Sequence, residues 1–336
     1  MKRFLLTAVL AATPITANAQ TATIDDIVNA HILPRFQTLA ETSAHLATTA
    51  RNDCSITSQT LQAAYSDAFD AWVSASHLRF GPTEVDDRAF ALAFWPDSRG
   101  ATPRTLAKLL TDQDPVIASA EDYAQVSIAA RGFYAMEFLL YDEALSNIGD
   151  ADDHCTLIQT VTTDIATTSA AILDDWKTDY AARLSSPDAS GTYRSEEEVL
   201  QELFKTLATG LQFTSETRLG RPLGTFDRPH PTRAEGWRSG RSARHVGLSL
   251  AALNDLALRL SNDDLDISER IETSFERSIA LLAELNDPIF TGVAAPQSRL
   301  KVEVLRQSID SIRALVRDEL GPTLGVAAGF NSLDGD

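Results

Sequence analysis

T-I-D-D-I-V-N-A-H-I-L-P-R-F-Q-T-L-A-E-T-S-A-H-L-A-T-T-A, residues 23–50, is the stretch that decides the fold. Wound at 3.6 residues per turn, it brings Ile27, Ile32, Phe36, Leu39 and Leu46 near one stripe. Asp25 and Asp26 stand in the first turn, where negative charge suits the helix dipole. The pattern predicts one long amphipathic helix. Pro34 has no amide hydrogen, so it is expected to kink this helix or split it in two.

The same period recurs along the chain, and alternating strand-type runs are nearly absent. Residues 58–79 predict a second helix carrying Leu61, Tyr65, Phe69, Trp72 and Val73 on its apolar side. Residues 116–141 predict a third, apolar on most sides and therefore central. Residues 154–184 predict a fourth. Ser185-Ser186-Pro187-Asp188-Ala189-Ser190-Gly191 then has linker composition. Ser195-Glu196-Glu197-Glu198 reads as a capping box opening a helix to about Leu219. Residues 241–260, 267–285 and 296–320 complete the set, and Gly321-Pro322 stops the last. The expected fold is all-α, with one helical bundle in residues 20–190 and a second in 191–336.

Residues 1–19 have a different character. Lys2 and Arg3 precede a short apolar run from Phe4 to Ala12, and Ala17-Asn18-Ala19 offers a cleavage site. This is the layout of a secretory signal peptide, and the run is too short to span a bilayer. The mature chain is expected to begin at Gln20, in the periplasm, with no membrane span. The whole sequence of 336 residues carries a formal charge of −18. That field makes nucleic acid a poor partner and a cation or a small pocketed ligand an easier one. In an oxidising compartment, the two cysteines, Cys54 and Cys155, are expected to form one disulfide.

Three clusters can carry chemistry. On the 116–141 helix, Tyr123, Ser127, Ala130, Tyr134, Glu137 and Tyr141 share one face. Tyr134 and Glu137 lie three apart, a spacing from which helical bundles build carboxylate metal sites. A buried Tyr–Glu pair bonded to an arginine such as Arg131 or Arg99 would look the same. Gly132 lets another backbone or a ligand come close. The second cluster is Phe94-Trp95-Pro96-Asp97-Ser98-Arg99-Gly100, in which Asp97 either orients a ligand or clamps its own loop. In the third, residues 233–244, Arg238 and Arg241 either hold a carboxylate or phosphate or neutralise acidic surface across the two halves. The sequence contains no HExxH, GxSxG, P-loop, dinucleotide-binding or CxxCH motif, and its six histidines show no i, i+4 pairing.

Gly132-Phe133-Tyr134-Ala135-Met136-Glu137 resembles the Gly-x-His-x-x-Glu signature of the imelysin family. His31-Ile32-Leu33-Pro34-Arg35-Phe36, Arg79-Phe80-Gly81-Pro82, Phe94-Trp95-Pro96-Asp97, Arg221-Pro222-Leu223-Gly224 and the 233–242 stretch are similar to imelysin segments, in the same order. The resemblance implies two helical bundles with a pocket at their interface. It also implies a role in bacterial iron uptake among envelope proteins, with iron as the one cofactor suggested, and the family carries a metallopeptidase label. This chain has Tyr134 where the family has histidine. A phenolate suits ferric iron, but tyrosine is a poor zinc ligand beside histidine. The expectation is therefore a periplasmic protein that binds iron or an iron-bearing ligand and is not a peptidase. Tyr134 and Glu137 would meet the metal, and no catalytic residue is assigned. Asp97 and Arg99 would close one side of the pocket, and Glu235, Arg238 and Arg241 the other. The alternatives are a metal-dependent peptidase, and a ligand-binding or structural helical protein without a metal.

Overall fold

A computed structural model describes residues 23–261 and 264–326. The proposed leader, Met1 to Ala19, lies outside the described residues. Among the described residues nine main helices can be followed. They are α1 (Leu33–Asn52), α2 (Gln59–Ala75), α3 (Ala101–Thr111), α4 (Gly132–Tyr141), α5 (Ala151–Asp175), α6 (Glu196–Gln212), α7 (Ser242–Leu260), α8 (Leu265–Leu285) and α9 (Pro296–Leu315). Among the described residues no strand forms beyond a single bridge between Thr225 and Arg228.

The apolar stripes predicted from the sequence are the ones buried. Ile27, Ile32, Phe36, Leu39 and Leu46 are all fully covered, and so are Leu61, Tyr65 and Phe69. Each large side chain of this kind contributes about 1.5–3 kcal/mol by leaving water. Pro34 marks a junction rather than a break: Ile27–Ile32 winds as a wide π-type turn, and regular α-helix starts at Leu33. The changed register there removes the need for the amide that proline lacks.

In the N-terminal half α1 packs on α2 and α5, and α4 packs on α3 and α5. In the C-terminal half α7 packs on α6 and α8, while α9 packs on α6 and α8. The α2–α7 contact joins the halves. Cys54 follows α1, Cys155 lies in α5, and the two form the expected disulfide across 101 residues. It pins the end of α1 to the start of α5.

Two local expectations fail. Residues 116–141 are not one helix. They form short turns at Pro115–Ala118, Ala120–Tyr123 and Ile128–Ala130 before α4 begins. Asp114, Ser119 and Ser127 each accept a backbone amide hydrogen bond and restart the chain. Gly132 then adopts φ +75°, and a Cβ there would collide with the carbonyls of Ala91 and Leu92. Tyr123 and Ser127 therefore share no face with Tyr134. The anticipated close approach at Gly132 is real, and it is made by backbone. The capping box at Ser195 does not form either: Glu198 turns back to the amide and guanidinium of Arg194 instead. The ion pair satisfies the carboxylate one residue earlier than the box requires.

Candidate functional site

α4 is short, nearly all apolar and buried along most of its length. It sits against α2 and α5, with Phe133 stacked on Phe69 at 5.1 Å. That packing fixes the direction in which Tyr134 and Glu137 leave the helix, toward the chain segment 231–241 of the other half.

Tyr134 donates its phenol hydrogen to Glu235 Oε1 at 2.5 Å. Arg218, from the wide turn Phe213–Leu219, donates Nε to Glu235 Oε2 at 2.6 Å. Its remaining donors reach Ser249 and Ser76. His245 Nδ1 lies 3.3 Å from the same carboxylate oxygen. Burial alone would push the Glu235 carboxyl up, but Arg218 and His245 more than reverse this and hold it well below the usual range. The Tyr134 phenol is driven well above its usual value, first by burial and then by the Glu235 charge. The pair therefore exists as a neutral phenol against a carboxylate. A phenolate at Tyr134 would have to form beside a negative charge.

Glu137 is buried and accepts two bonds at Oε1, from the Ser239 amide at 2.9 Å and the Ser239 hydroxyl at 2.8 Å. Burial pushes the Glu137 carboxyl above its usual range, and the Ser239 bonds, with Arg238 and His245, oppose that only in part. Its second oxygen accepts no bond from the described residues.

Tyr134 and Glu137 border a cavity of about 220 Å³ between the halves. Tyr134, Glu137 and Phe138 come from α4, and Phe94, Trp95 and Asp97 from the loop before α3. Arg221, Arg233, Trp237 and Arg238 come from the other half. Asp97 lines the cavity, but its two oxygens take the amides of Arg99 and Thr102, so it also holds the loop in shape. Burial pushes the Asp97 carboxyl up, and these amide bonds outweigh it, leaving the group below its usual range. Arg99 is exposed and off the wall. Glu235 stands behind Tyr134 rather than on the surface of the cavity.

Arg238 and Arg241 do not form a joint anion clamp. Arg238 pairs with Asp142 at 2.8 Å and covers the Phe138 ring, while Arg241 pairs with Asp70 of α2. Both cross from the C-terminal to the N-terminal half, which is the neutralising role anticipated as the second alternative for this basic stretch. The arginines left for a ligand are Arg221 and Arg233. Neither has an acidic partner among the described residues. Arg221 lies over the Trp95 ring at 5.7 Å, and its Nε is buried without a hydrogen-bond acceptor. Burial, and then the neighbouring Arg233, lower its affinity for a proton.

Sequence reasoning assigned neither arginine a site role. One signal was present: neither has an Asp or Glu three or four positions away, so neither has a local helical partner. Arg218 was missed as well, because a cation inside an apolar helix face is seen as buried only when its distant partner is known. Among the described residues no three His, Cys, Asp or Glu side chains come together as a metal group. As a resident metal centre the donor set fits poorly, since the phenol is protonated and already bonded and one carboxylate remains.

The family model described as imelysin matches residues 32–316. Iron-regulated protein A of Synechococcus elongatus is 21% identical over 278 residues, which is 76% of this chain and 72% of that protein. The crystal structure of an imelysin-like protein from Psychrobacter arcticum superposes with a TM-score of 0.78 at 22% identity. The match covers 96% of this chain and all of that one.

Proposed function

The chain belongs to the imelysin family, and from that premise we propose that it is an exported protein that captures iron as cargo, carried by a small ligand, and does not cleave peptides. The observation that carries this reading is the cavity wall. Two arginines without acidic partners among the described residues, two tryptophans and one carboxylate with an oxygen unbonded by those residues make a surface for a small anionic, metal-bearing molecule. The relative named an iron-regulated protein supports the iron assignment. The disulfide and the leader-like N-terminus support export to the periplasm, where envelope proteins of iron uptake would be its partners.

Peptide hydrolysis would need a metal-bound water and a nitrogen-rich ligand set. Tyr134 stands where the family has histidine, and its proton is committed to Glu235. Its chemistry here is to position Glu235 and close the floor of the cavity.

The test uses the mature chain purified without chelators or immobilised nickel. Incubated with ferric iron supplied as small chelates and then desalted, it should retain about one iron per chain and leave unfolded peptides intact. Absence of retained iron from every chelate would remove the iron reading. Peptide cleavage abolished by Glu137→Ala would replace it with the metallopeptidase one.

A further inference from the structure

The cavity is polarised, and the polarity defines its ligand. Arg221 and Arg233 place two guanidinium groups on one wall. In a chain with 47 acidic and 29 basic residues, carboxylates outnumber cations. Arg221 nonetheless keeps a buried Nε hydrogen unused, and the two like charges repel each other. Leaving a buried donor unmet is costly, and an anion bridging both arginines removes both penalties at once. The lining also carries groups of the reverse character. Glu137 presents an oxygen that accepts no bond from the described residues, and Tyr134 and Asp97 line the same cavity.

A simple anion would meet the arginines but be repelled by Glu137. A bare cation would meet Glu137 but be repelled by the arginines. A molecule with a negative rim and a positive centre satisfies both walls. Resting on the reading of this site as an iron-ligand pocket, we propose that the ligand is a ferric polycarboxylate chelate, with carboxylates on Arg221 and Arg233 and its metal facing Glu137. The volume agrees, since 220 Å³ is the space of about seven waters, which suits a small tricarboxylate and excludes a large macrocycle. Trp95 lies against the Arg221 guanidinium, which limits its motion before the ligand arrives, while Trp237 carries the Arg238 guanidinium.

The experiment follows quenching of tryptophan fluorescence in the mature chain with three probes: ferric citrate, citrate alone and the ferric complex of a neutral trihydroxamate. Ferric citrate should quench saturably. Citrate alone should bind at least tenfold more weakly, because it offers nothing to Glu137 except repulsion. Arg233→Gln changes an exposed side chain, so the fold is preserved, and it should weaken ferric citrate at least tenfold, which is about 1.4 kcal/mol. Arg233→Lys should recover part of that loss by keeping the charge. Glu137→Gln should weaken ferric citrate and leave citrate alone unchanged or tighter.

Binding of the neutral trihydroxamate complex with no response to ferric citrate would overturn the inference while sparing the iron reading. Equal affinity for citrate and ferric citrate would overturn the placement of the metal at Glu137. Ferric citrate binding unchanged in Arg233→Gln would overturn the anion wall. Silence with all three probes, together with no iron retained after desalting, would remove both this proposal and the reading beneath it.

Discussion

Acid should loosen the junction of the two halves through a pair of buried imidazoles. His31, in the wide turn before α1, bonds through Nδ1 to Asp255 of α7 at 2.7 Å and through Nε2 to His77 at 2.8 Å. His31 is fully buried and His77 nearly so. Burial lowers the His31 pKa from 6.5 to about 4. Arg35 and Arg259 add to this, and Asp255 offsets only part of it. His77 moves the same way, through burial and then through His31, Arg35 and Arg218. The unfolded chain therefore takes up these protons first as the pH falls. The stability they protect is complete above about pH 6.5, is lost on the way down, and for His31 is gone below about pH 4. That interval corresponds to about 3 kcal/mol for His31. Other carboxyls titrate nearby, and Glu137 and Asp164, raised by burial, act in the opposite sense. A comparison with His31→Gln cancels them, because the amide can still bond to Asp255 and His77 but takes no proton. Urea unfolding of both proteins, followed by helical circular dichroism at pH 7.0, 5.5 and 4.5, is the assay. Wild type should lose about 2–3 kcal/mol more than His31→Gln between the extremes. Stability curves that stay parallel to within about 0.5 kcal/mol would refute the reasoning.

Reducing the Cys54–Cys155 disulfide should lower stability by about 4–5 kcal/mol in the chain-entropy account of a loop this long, and thiol titration of denatured, unreduced protein should find no free thiol. Gly132→Ala should cost at least about 3 kcal/mol or abolish folding, read as a drop in melting temperature, because the residue has positive φ and its Cβ has no space against the 91–92 backbone. Tyr134→Phe should cost about 1–3 kcal/mol, since Glu235 keeps Arg218, whereas Glu235→Ala should cost about 3–5 kcal/mol by leaving Arg218 buried without a counter-charge. The reverse ranking in denaturant melts would show that the phenol, not the arginine, holds that carboxylate.

The helical character and the buried stripes of the first two helices could be read from the sequence because one apolar face contrasts with a polar one. Residues 116–141 defeated the same approach. A segment buried on nearly all sides has no such contrast, so Ser119, Ser127 and Gly132 were absorbed into a continuous helix although each ends or restarts one. Tyr134 and Glu137 were found by spacing because they lie on one turn of α4. Their partners were not: Ser239 is 102 residues from Glu137, and Asp255 is 224 residues from His31. Local spacing rules carry no information at that range. Arg238 and Arg241 were singled out by charge density, yet Asp142 and Asp70 claim them, and Arg221 and Arg233 face the cavity instead.

Directional bonds hold the junction between the halves. Tyr134 meets Glu235, Glu137 meets Ser239, Asp142 meets Arg238, Asp70 meets Arg241 and Arg244, and His31 and Arg35 meet Asp255. An apolar junction would tolerate sliding of one bundle on the other, whereas each of these pairs has one geometry. The cavity takes walls from both halves, so its shape exists only in this docking. A ligand that spans Glu137 and the Arg221–Arg233 wall therefore binds the docked form and not the separated one. It must stabilise the junction by RT ln(1 + [L]/Kd), about 2.7 kcal/mol at a hundredfold excess over Kd. Binding and the acid response described above then draw on the same interface, and saturation with ligand should shift the acid-induced loosening to lower pH.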